Sequence, residues 1–385
     1  MKNTEKKICS KGIWDSSVPG IRFDNEGVSN FAKMQLSLMA QYPRGEKGLE
    51  DWGKIVETMK KEGMGKKYDC IVGMSGGTDS SYLLHIAKEY KLRVLAVTFN
   101  NGWNSTVAEK NIKLITSALN YDIETHIINE KEMIGIFKAY MLASLPWIDS
   151  PSDIAIKSTL YKVAARERIK YILYGSDFRS EGKQPLSWTY ADTKQLKYLV
   201  KKFSPETKLK TFPLQPLHSL FYYGFIKKIK VIRPLYFLPY KKKDAKVLLK
   251  EKYGWIDYGG HHHENIFTKF AIQYWLPVKF GIDKRLITLS AQVMSDEITR
   301  EEALLLINEP TYNSQTIEED INYVLSKIKL SRNEFNNILN SENKYFYDYP
   351  SYYPLFKRFS RVGKIVSSKM FGYKPGIFEA MDQNI

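Results

Sequence analysis

Strand and helix patterns alternate from Lys67 to about Pro234, and most of the strands are wholly apolar. These two observations predict an α/β fold with a doubly wound parallel sheet, because strands buried on both faces read as continuous hydrophobic runs. A third observation locates the working edge of that sheet. The apolar run Cys70-Ile71-Val72-Gly73-Met74 ends in Ser75-Gly76-Gly77-Thr78-Asp79-Ser80, and a helical pattern starts at once after it.

The elements follow in order. Residues 71–74 read as the first strand. Residues 80–90 carry Leu83, Leu84, Ala87 and Tyr90 at helical spacing. Residues 94–99 form a second apolar strand, and 107–119 a helix through Ile112, Ile115 and Leu119. Residues 123–128 read as a third strand, 153–168 as a helix and 171–174 as a fourth strand, with Val231-Ile232 as a fifth. Residues 1–50 look irregular. Residues 51–250 are read as the α/β domain, with a polar, basic and aromatic insertion at 178–230. Residues 251–385 look mostly helical and are read as a substrate or partner region.

Composition sets the frame. A chain of 385 residues with 43% hydrophobic and 14% aromatic residues can bury a sizeable core. No apolar run approaches the length of a membrane span, and the start lacks the apolar stretch of a signal peptide. The expected location is therefore cytoplasmic, with no membrane partner. Two cysteines, Cys9 and Cys70, make no disulfide framework. The net charge of +16 suits nucleotide substrates, nucleic acid or an acidic partner. Its lysines are scattered and no arginine-aromatic stripe appears, so nucleic acid is not the expected ligand.

Several clusters fall beyond the carboxyl ends of strands, where ligands bind in such sheets. The loop 75–80 is the strongest. Paired glycines between a strand and a helix N-terminus let backbone N–H groups and the helix dipole hold an anion. Ser75, Thr78 and Ser80 add hydroxyls, so the natural guest is a phosphate or pyrophosphate. The loop lacks the Gly-Lys-Ser/Thr ending of a Walker loop and the spacing of a dinucleotide fingerprint. After the second strand, Asn101, Trp103 and Asn104 could read or wall an adenosine; the same stretch would also serve as a turn and helix cap at Asn104 or Ser105. After the fourth strand come Gly175, Ser176, Asp177 and Glu181. Asp177 or Glu181 could hold Mg²⁺ together with phosphate oxygens, or Asp177 could simply pair with Arg179.

Two clusters lie farther along. His261-His262-His263-Glu264 invites a metal, but consecutive residues do not point to one side, and no second ligand pair completes a zinc site. Acid–base chemistry, substrate donation or simple packing suits these histidines better. Lys279, Lys284 and Arg285 concentrate positive charge near Pro277 and Gly281. They could bind an acidic group, or serve a helix end.

The segment Ser-Gly-Gly-x-Asp-Ser resembles the PP-loop of enzymes that split ATP into AMP and pyrophosphate. With Asn101-Gly102-Trp103-Asn104, Gly259-Gly260-His261-His262-His263-Glu264, Lys279-Phe280-Gly281-Ile282-Asp283-Lys284-Arg285 and Ile298-Thr299-Arg300-Glu301-Glu302-Ala303, the chain resembles the N-acetyl sugar amidotransferase family over roughly residues 9–306. That family serves bacterial surface-polysaccharide, lipopolysaccharide and O-antigen pathways and those of pseudaminic and legionaminic acid. The resemblance implies a PP-loop (HUP-type) fold and an ATP-dependent ligase-like transferase with ATP and Mg²⁺ as cofactors. It implies conversion of an acetamido group, on an N-acetylated sugar or a nucleotide-activated sugar acid, to an acetamidino group through an adenylylated imidate. AMP and pyrophosphate would leave, and ammonia would come from a separate glutaminase/cyclase-like subunit pair. On this reading the nucleotide is held by Ser75, Gly76, Gly77, Thr78, Asp79, Ser80, Asn101, Trp103, Asn104, Gly175 and Ser176. Asp79, His262, His263, Glu264, Lys279, Lys284 and Arg285 act in catalysis, and Asp79, Asp177 and Glu181 are the candidate Mg²⁺ ligands.

The chain departs from the family in two places. The family often opens with two Cys-x-x-Cys pairs resembling a small zinc site. Here Cys9 stands with Gly12, Ser29 and Ala32, so no zinc is expected. Asn100 stands where the family often has Asp. Two alternatives follow from the same residues: a PP-loop enzyme that modifies tRNA, or a catalytically weakened nucleotide-binding partner subunit.

Overall fold

The structure, a computed structural model, describes residues 6–260 and 263–371. Its strands are β1 (Cys70–Met74), β2 (Val94–Asn100), β3 (Asp122–Ile127), β4 (Tyr171–Leu173) and β5 (Lys230–Ile232). They form one sheet in the order β3-β2-β1-β4-β5. All neighbours are parallel, with Cys70 opposite Val94 on one side of β1 and Ile71 opposite Ile172 on the other. Helices α1 (Asn30–Gln41) and α2 (Glu46–Glu62) precede the sheet. Helices α3 (Thr78–Glu89), α4 (Thr106–Leu119), α5 (Glu130–Leu142) and α6 (Ser150–Arg166) lie between its first four strands. The fold is the doubly wound α/β architecture expected, with a helix-rich C-terminal region.

The apolar strands have a direct cause. Cys70, Val72, Met74, Val94 and Ala96 face one layer, where α3 and α4 supply Leu83, Leu84, Ala87, Ile112, Ile115 and Leu119. The alternate residues Ile71, Leu95, Val97 and Ile172 face the other layer, against Leu160, Tyr161, Val163 and Ala164 of α6. Strand β3 is the exception. It is an edge strand with no buried residue, and its two isoleucines, Ile123 and Ile127, are exposed, Ile127 by 69%. From β1 the chain runs outward to β2 and β3, then crosses back to β4 and β5. That reversal leaves a crevice beyond the carboxyl ends of β1 and β4.

The first fifty residues hold more regular structure than their Gly, Pro and Asn punctuation suggests. Ser29 caps α1 by accepting the N–H of Ala32. Helix α2 buries Trp52, Val56 and Met59 at helical spacing. Pro43 and Gly45 divide the two helices, which shortens each periodic signal.

Ahead of α1, the backbone bridges Ile8 to Asp15 and Phe23 to Ser29. Cys9 is buried there, and its Sγ accepts the N–H of Ser29 at 3.3 Å. A Cβ on Gly12 would lie 2.7 Å from the Trp14 ring. A second cysteine at that position would collide with the tryptophan, so these residues do not fit a zinc ion. Apolar packing holds the segment instead. Cys9, Trp14 and Phe31 share one core with Phe137 of α5 and with Phe270, Trp275, Ile287 and Phe335 of the C-terminal region. The N–H of Ile13 donates to Ser290 Oγ at 3.0 Å. No helix of the described residues is long and apolar enough to cross a membrane.

Candidate active site

The loop after β1 is shaped by what lies against it. Gly76 has φ of 79°, a left-handed conformation that favours glycine, and a Cβ there would sit 2.3 Å from the Ala108 carbonyl oxygen. A Cβ on Gly175 would lie 3.1 Å from the N of Ser80. The turn after β4 thus lies directly against the start of α3. Inside the loop, Ser75 Oγ accepts the N–H of Gly77 at 3.2 Å and Ser80 Oγ accepts that of Ser75 at 3.3 Å. The Thr78 N–H donates to the Tyr258 hydroxyl at 3.1 Å. Asp79 is held from outside the loop: Tyr240 donates its hydroxyl to Oδ1, and the Lys242 ammonium stands 3.1 Å from Oδ2. Burial disfavours the charge on Lys242, but the Asp79 carboxylate outweighs it and raises its pKa.

A cavity of about 390 Å³ opens where β1 and β4 diverge. Ser75, Gly77, Asp79 and Ser80 form one wall; Gly175, Ser176 and Glu181 close the side beyond β4. A further wall comes from Glu264, Asn265, Thr268 and Lys284. That wall is stitched to the turn after β2. The Ser105 N–H donates to the Glu264 carbonyl at 2.8 Å, the Ile266 N–H to the Trp103 carbonyl at 2.9 Å, and Asn265 Nδ2 to Asn101 Oδ1 at 3.2 Å. Asn101 and Asn104 therefore line the cavity beside Asn265, while Ser105 caps α4.

The deep end of the cavity was not foreseen from sequence. Trp147, Asp149, Ser152 and Asp153 approach from the start of α6. Trp147 Nε1 donates to Asp153 Oδ2 at 2.9 Å, and Ser152 Oγ to Asp149 Oδ1 at 2.6 Å. Thr268 donates its hydroxyl to Asp149 Oδ2. Lys284 Nζ lies 3.9 Å from the centre of the Trp147 ring. Burial lowers its pKa to about 8, and Asp153, Glu181 and Asp149 only partly oppose the shift. An amine that titrates near neutrality can exchange protons in a reaction.

Other expected residues stand elsewhere. Lys279 is buried, and its ammonium donates to the carbonyls of Ile338, Leu339 and Ser341 at 2.6, 3.3 and 2.9 Å. It closes the end of helix Arg332–Asn340. Arg285 pairs with Asp283 at 2.7 Å and donates to the carbonyls of Leu306, Ile307 and Glu309 at the end of helix Arg300–Asn308. Both cations serve helix ends. Trp103 is fully buried between Phe137, Phe267 and Tyr323, with no face toward the cavity.

Asp177 is buried and pairs with Arg44 at 3.0 Å rather than with the side chain of Arg179, whose N–H it accepts at 3.3 Å. Burial raises its pKa to about 6 despite Arg44. Of the candidate Mg²⁺ ligands, Asp79 and Glu181 line the cavity and Asp177 does not. Gly76 and Thr78 belong to the loop without lining the cavity. His263 Nδ1 accepts the Gly260 N–H at 3.0 Å, and its Nε2 lies 3.0 Å from Gln273 Nε2. Its neighbour Glu264 lines the cavity. His261 and His262 lie outside the described residues.

Residues 264–362 match the family of WbpG-like LPS biosynthesis proteins, over its C-terminal domain. The C-terminal region is a WbpG-like domain. The parallel sheet, its strand order β3-β2-β1-β4-β5 and the flanking helices match a HUP/PP-loop-like architecture. The WbpG-like domain supplies Glu264, Asn265, Thr268 and Lys284 to the cavity, with Glu264 beside Gly77 of the loop.

One curated relative is the uncharacterized protein MJ1599 of Methanocaldococcus jannaschii. It is 34% identical over 95 residues, which are 24% of this chain and 33% of that protein, so the match spans a third of the relative. Among solved structures, U34-tRNA thiolase NcsA from Methanococcus maripaludis is 14% identical with a TM-score of 0.32, covering 69% of this chain and 82% of that one. NMN synthetase from Francisella tularensis gives 12% and 0.31, over 73% and 96%. NH3-dependent NAD synthetase from Campylobacter jejuni gives 15% and 0.31, over 72% and 94%. Likeness at this level carries no argument about activity.

Proposed function

We propose that the protein is an ATP-dependent amidotransferase that converts the acetamido group of a sugar or sugar acid to an acetamidino group. One observation carries this reading. A single cavity joins the Ser75–Ser80 loop to a wall from the WbpG-like domain, whose family is tied by name to LPS biosynthesis. A nucleotide and a second reactant can meet there.

An amide is a poor electrophile, so its oxygen must first become part of a leaving group. The carbonyl oxygen attacks the α-phosphorus of ATP, a P–O bond forms, and pyrophosphate departs. The loop hydroxyls of Ser75 and Ser80 and the start of α3 stabilise the charge that develops on it. Ammonia then adds to the imidate carbon, and the C–O bond breaks to release AMP. Lys284, as a neutral amine, takes the proton that the added ammonia sheds. The amidine product is a cation, and Asp149 and Asp153 offer it carboxylates at the deep end. Mg²⁺ bound with ATP would neutralise phosphate charge, and Glu181 is the candidate to hold it. Asp79 already serves Lys242 and Tyr240, and Asp177 serves Arg44.

The tRNA-thiolase alternative finds less support. NcsA carries a [4Fe-4S] cluster, whereas this sequence has two cysteines, Cys9 and Cys70, buried in separate cores. They fall short of the thiolates such a cluster needs. Ammonia would come from a separate glutaminase-type partner, and the use of ATP supports a cytoplasmic reaction. Incubation with ATP, Mg²⁺, an ammonium salt and N-acetylated sugars should release AMP and pyrophosphate and give a product in which NH has replaced oxygen. Absence of AMP with every such sugar would overturn the assignment.

A further inference from the structure

The positive charge of this chain is unevenly spread. No Asp or Glu occurs between Glu206 and Asp244, nor between Asp348 and Glu379. These two acid-free segments meet in the fold. The first contains a helix running through Leu217–Phe221 into a π-helical turn, Tyr222–Ile226. The second contains helix Ser360–Phe371. Leu220 and Val366, one from each, pack against one core cluster, which includes Tyr223, Ile229 and Val231.

Their outer faces are apolar. Phe221, Tyr222, Phe225 and Ile226 are exposed on the first helix, and the tilted rings of Phe221 and Phe225 have centroids 4.4 Å apart. Phe359, Val362 and Ile365 are exposed on the second segment, Ile226, Val362 and Ile365 each by more than 60%. Lysines and arginines rim the patch. Lys227 Nζ lies 5.5 Å from the Tyr222 ring and the Arg358 guanidinium 5.8 Å from that of Phe359. Exposed rings and branched aliphatics beneath long cationic side chains are the arrangement of a protein face that lies in a lipid–water interface. Ile226, Val362 and Ile365 can neither stack on bases nor accept hydrogen bonds, which disfavours nucleic acid.

We propose that this face is a docking surface for an anionic lipid bilayer. The charge complementarity is one-sided: the segments that form the patch carry only cations, and each Lys or Arg near a negative membrane surface adds attraction. The patch borders the start of β5. At the other end of β5, Arg233 donates to Ser176 at 3.2 Å, beside the cavity. The patch and the cavity thus lie toward opposite ends of β5. The proposal stands independently of the reaction assigned above.

The test is sedimentation of the full-length protein with vesicles of phosphatidylcholine alone or mixed with phosphatidylglycerol. The wild type should bind the anionic vesicles and release as salt rises. The double variants Phe221→Ser/Ile226→Ser and Lys227→Gln/Arg358→Gln should each weaken binding about tenfold or more. Their circular dichroism and AMP formation should stay unchanged. Failure of the wild type to bind anionic vesicles would overturn the proposal, as would binding that survives both double variants. Self-association or tRNA binding lost in the same variants, without vesicle binding, would assign the face to a second copy or to RNA instead.

Discussion

The wall of the cavity that comes from the sheet holds its shape through backbone, whereas the wall from the WbpG-like domain acts through side chains. Ser75, Gly76 and Gly77 form a turn whose N–H groups meet hydroxyls and whose glycines admit close neighbours. Glu264, Asn265, Thr268 and Lys284 instead project from helices and turns pinned to the strand ends. A backbone wall suits a charge pattern common to all nucleotides. A side-chain wall suits the substrate that distinguishes one enzyme from another. The difference teaches where binding and where chemistry should break when each wall is altered.

The largest effect is expected from Lys284→Met. Amidine formation should fall by about 10²–10⁴, the range of general acid–base catalysis, with ATP binding retained. The wild-type rate should climb with pH toward about 8, where the amine becomes neutral, and the variant should lack that limb. Stability moves the same way. The folded pKa lies below the ordinary lysine value of 10.5, so the cost of burying the charge is full below about 8 and is relieved as pH rises between the two. A flat wild-type rate across this window would remove Lys284 from proton transfer. On the other wall, Ser75→Ala should slow pyrophosphate release about 10²-fold, since Ser75 orders the loop through Gly77 and Ser80. Equal loss of ATP binding in Lys284→Met and Ser75→Ala would erase the distinction between the walls.

Smaller effects concern the frame behind the walls. Arg44→Ala strands the buried Asp177 carboxylate and should cost about 3–5 kcal/mol in denaturant unfolding. Asp177 has a folded pKa of about 6, above the ordinary 3.8. Its charge therefore weighs against folding at higher pH, and the loss in Arg44→Ala should shrink in acid as the carboxyl takes up a proton. Lys279→Met removes the donor to three carbonyls and should cost about 1–3 kcal/mol. AMP formation per folded molecule should be unchanged, because Lys279 faces helix Arg332–Asn340 and not the cavity.

The contrast between Lys284 and its neighbours also marks what a sequence can reveal. The Ser75–Ser80 loop was legible because its function is local: strand, turn and helix follow within a few residues, and their order fixes the geometry. Lys279, Lys284 and Arg285 look equivalent in one short basic stretch. Lys279 and Arg285 turn to helix ends contributed by residues 300–341 and Lys284 to Trp147 ahead of α6, none of which a local pattern encodes. Trp103 read as a wall for a base, yet Phe137 and Phe267 enclose it in the core. Trp147, Asp149 and Asp153 gave no sequence signal beyond two carboxylates near a helix start. Only the crossover from β3 to β4 brings them to the cavity. Tyr240, Lys242 and Tyr258 were silent for the same reason: their partners in the loop lie far away in sequence.

The central claim is that the amide oxygen of the sugar attacks phosphorus before ammonia enters. A substrate labelled with oxygen-18 in its acetamido carbonyl, incubated with ATP, Mg²⁺ and an ammonium salt, tests this directly by mass spectrometry of the released nucleotide. The label should appear in the phosphate of AMP and be absent from the sugar product. AMP formed without the label, or label retained in the sugar, would contradict the account.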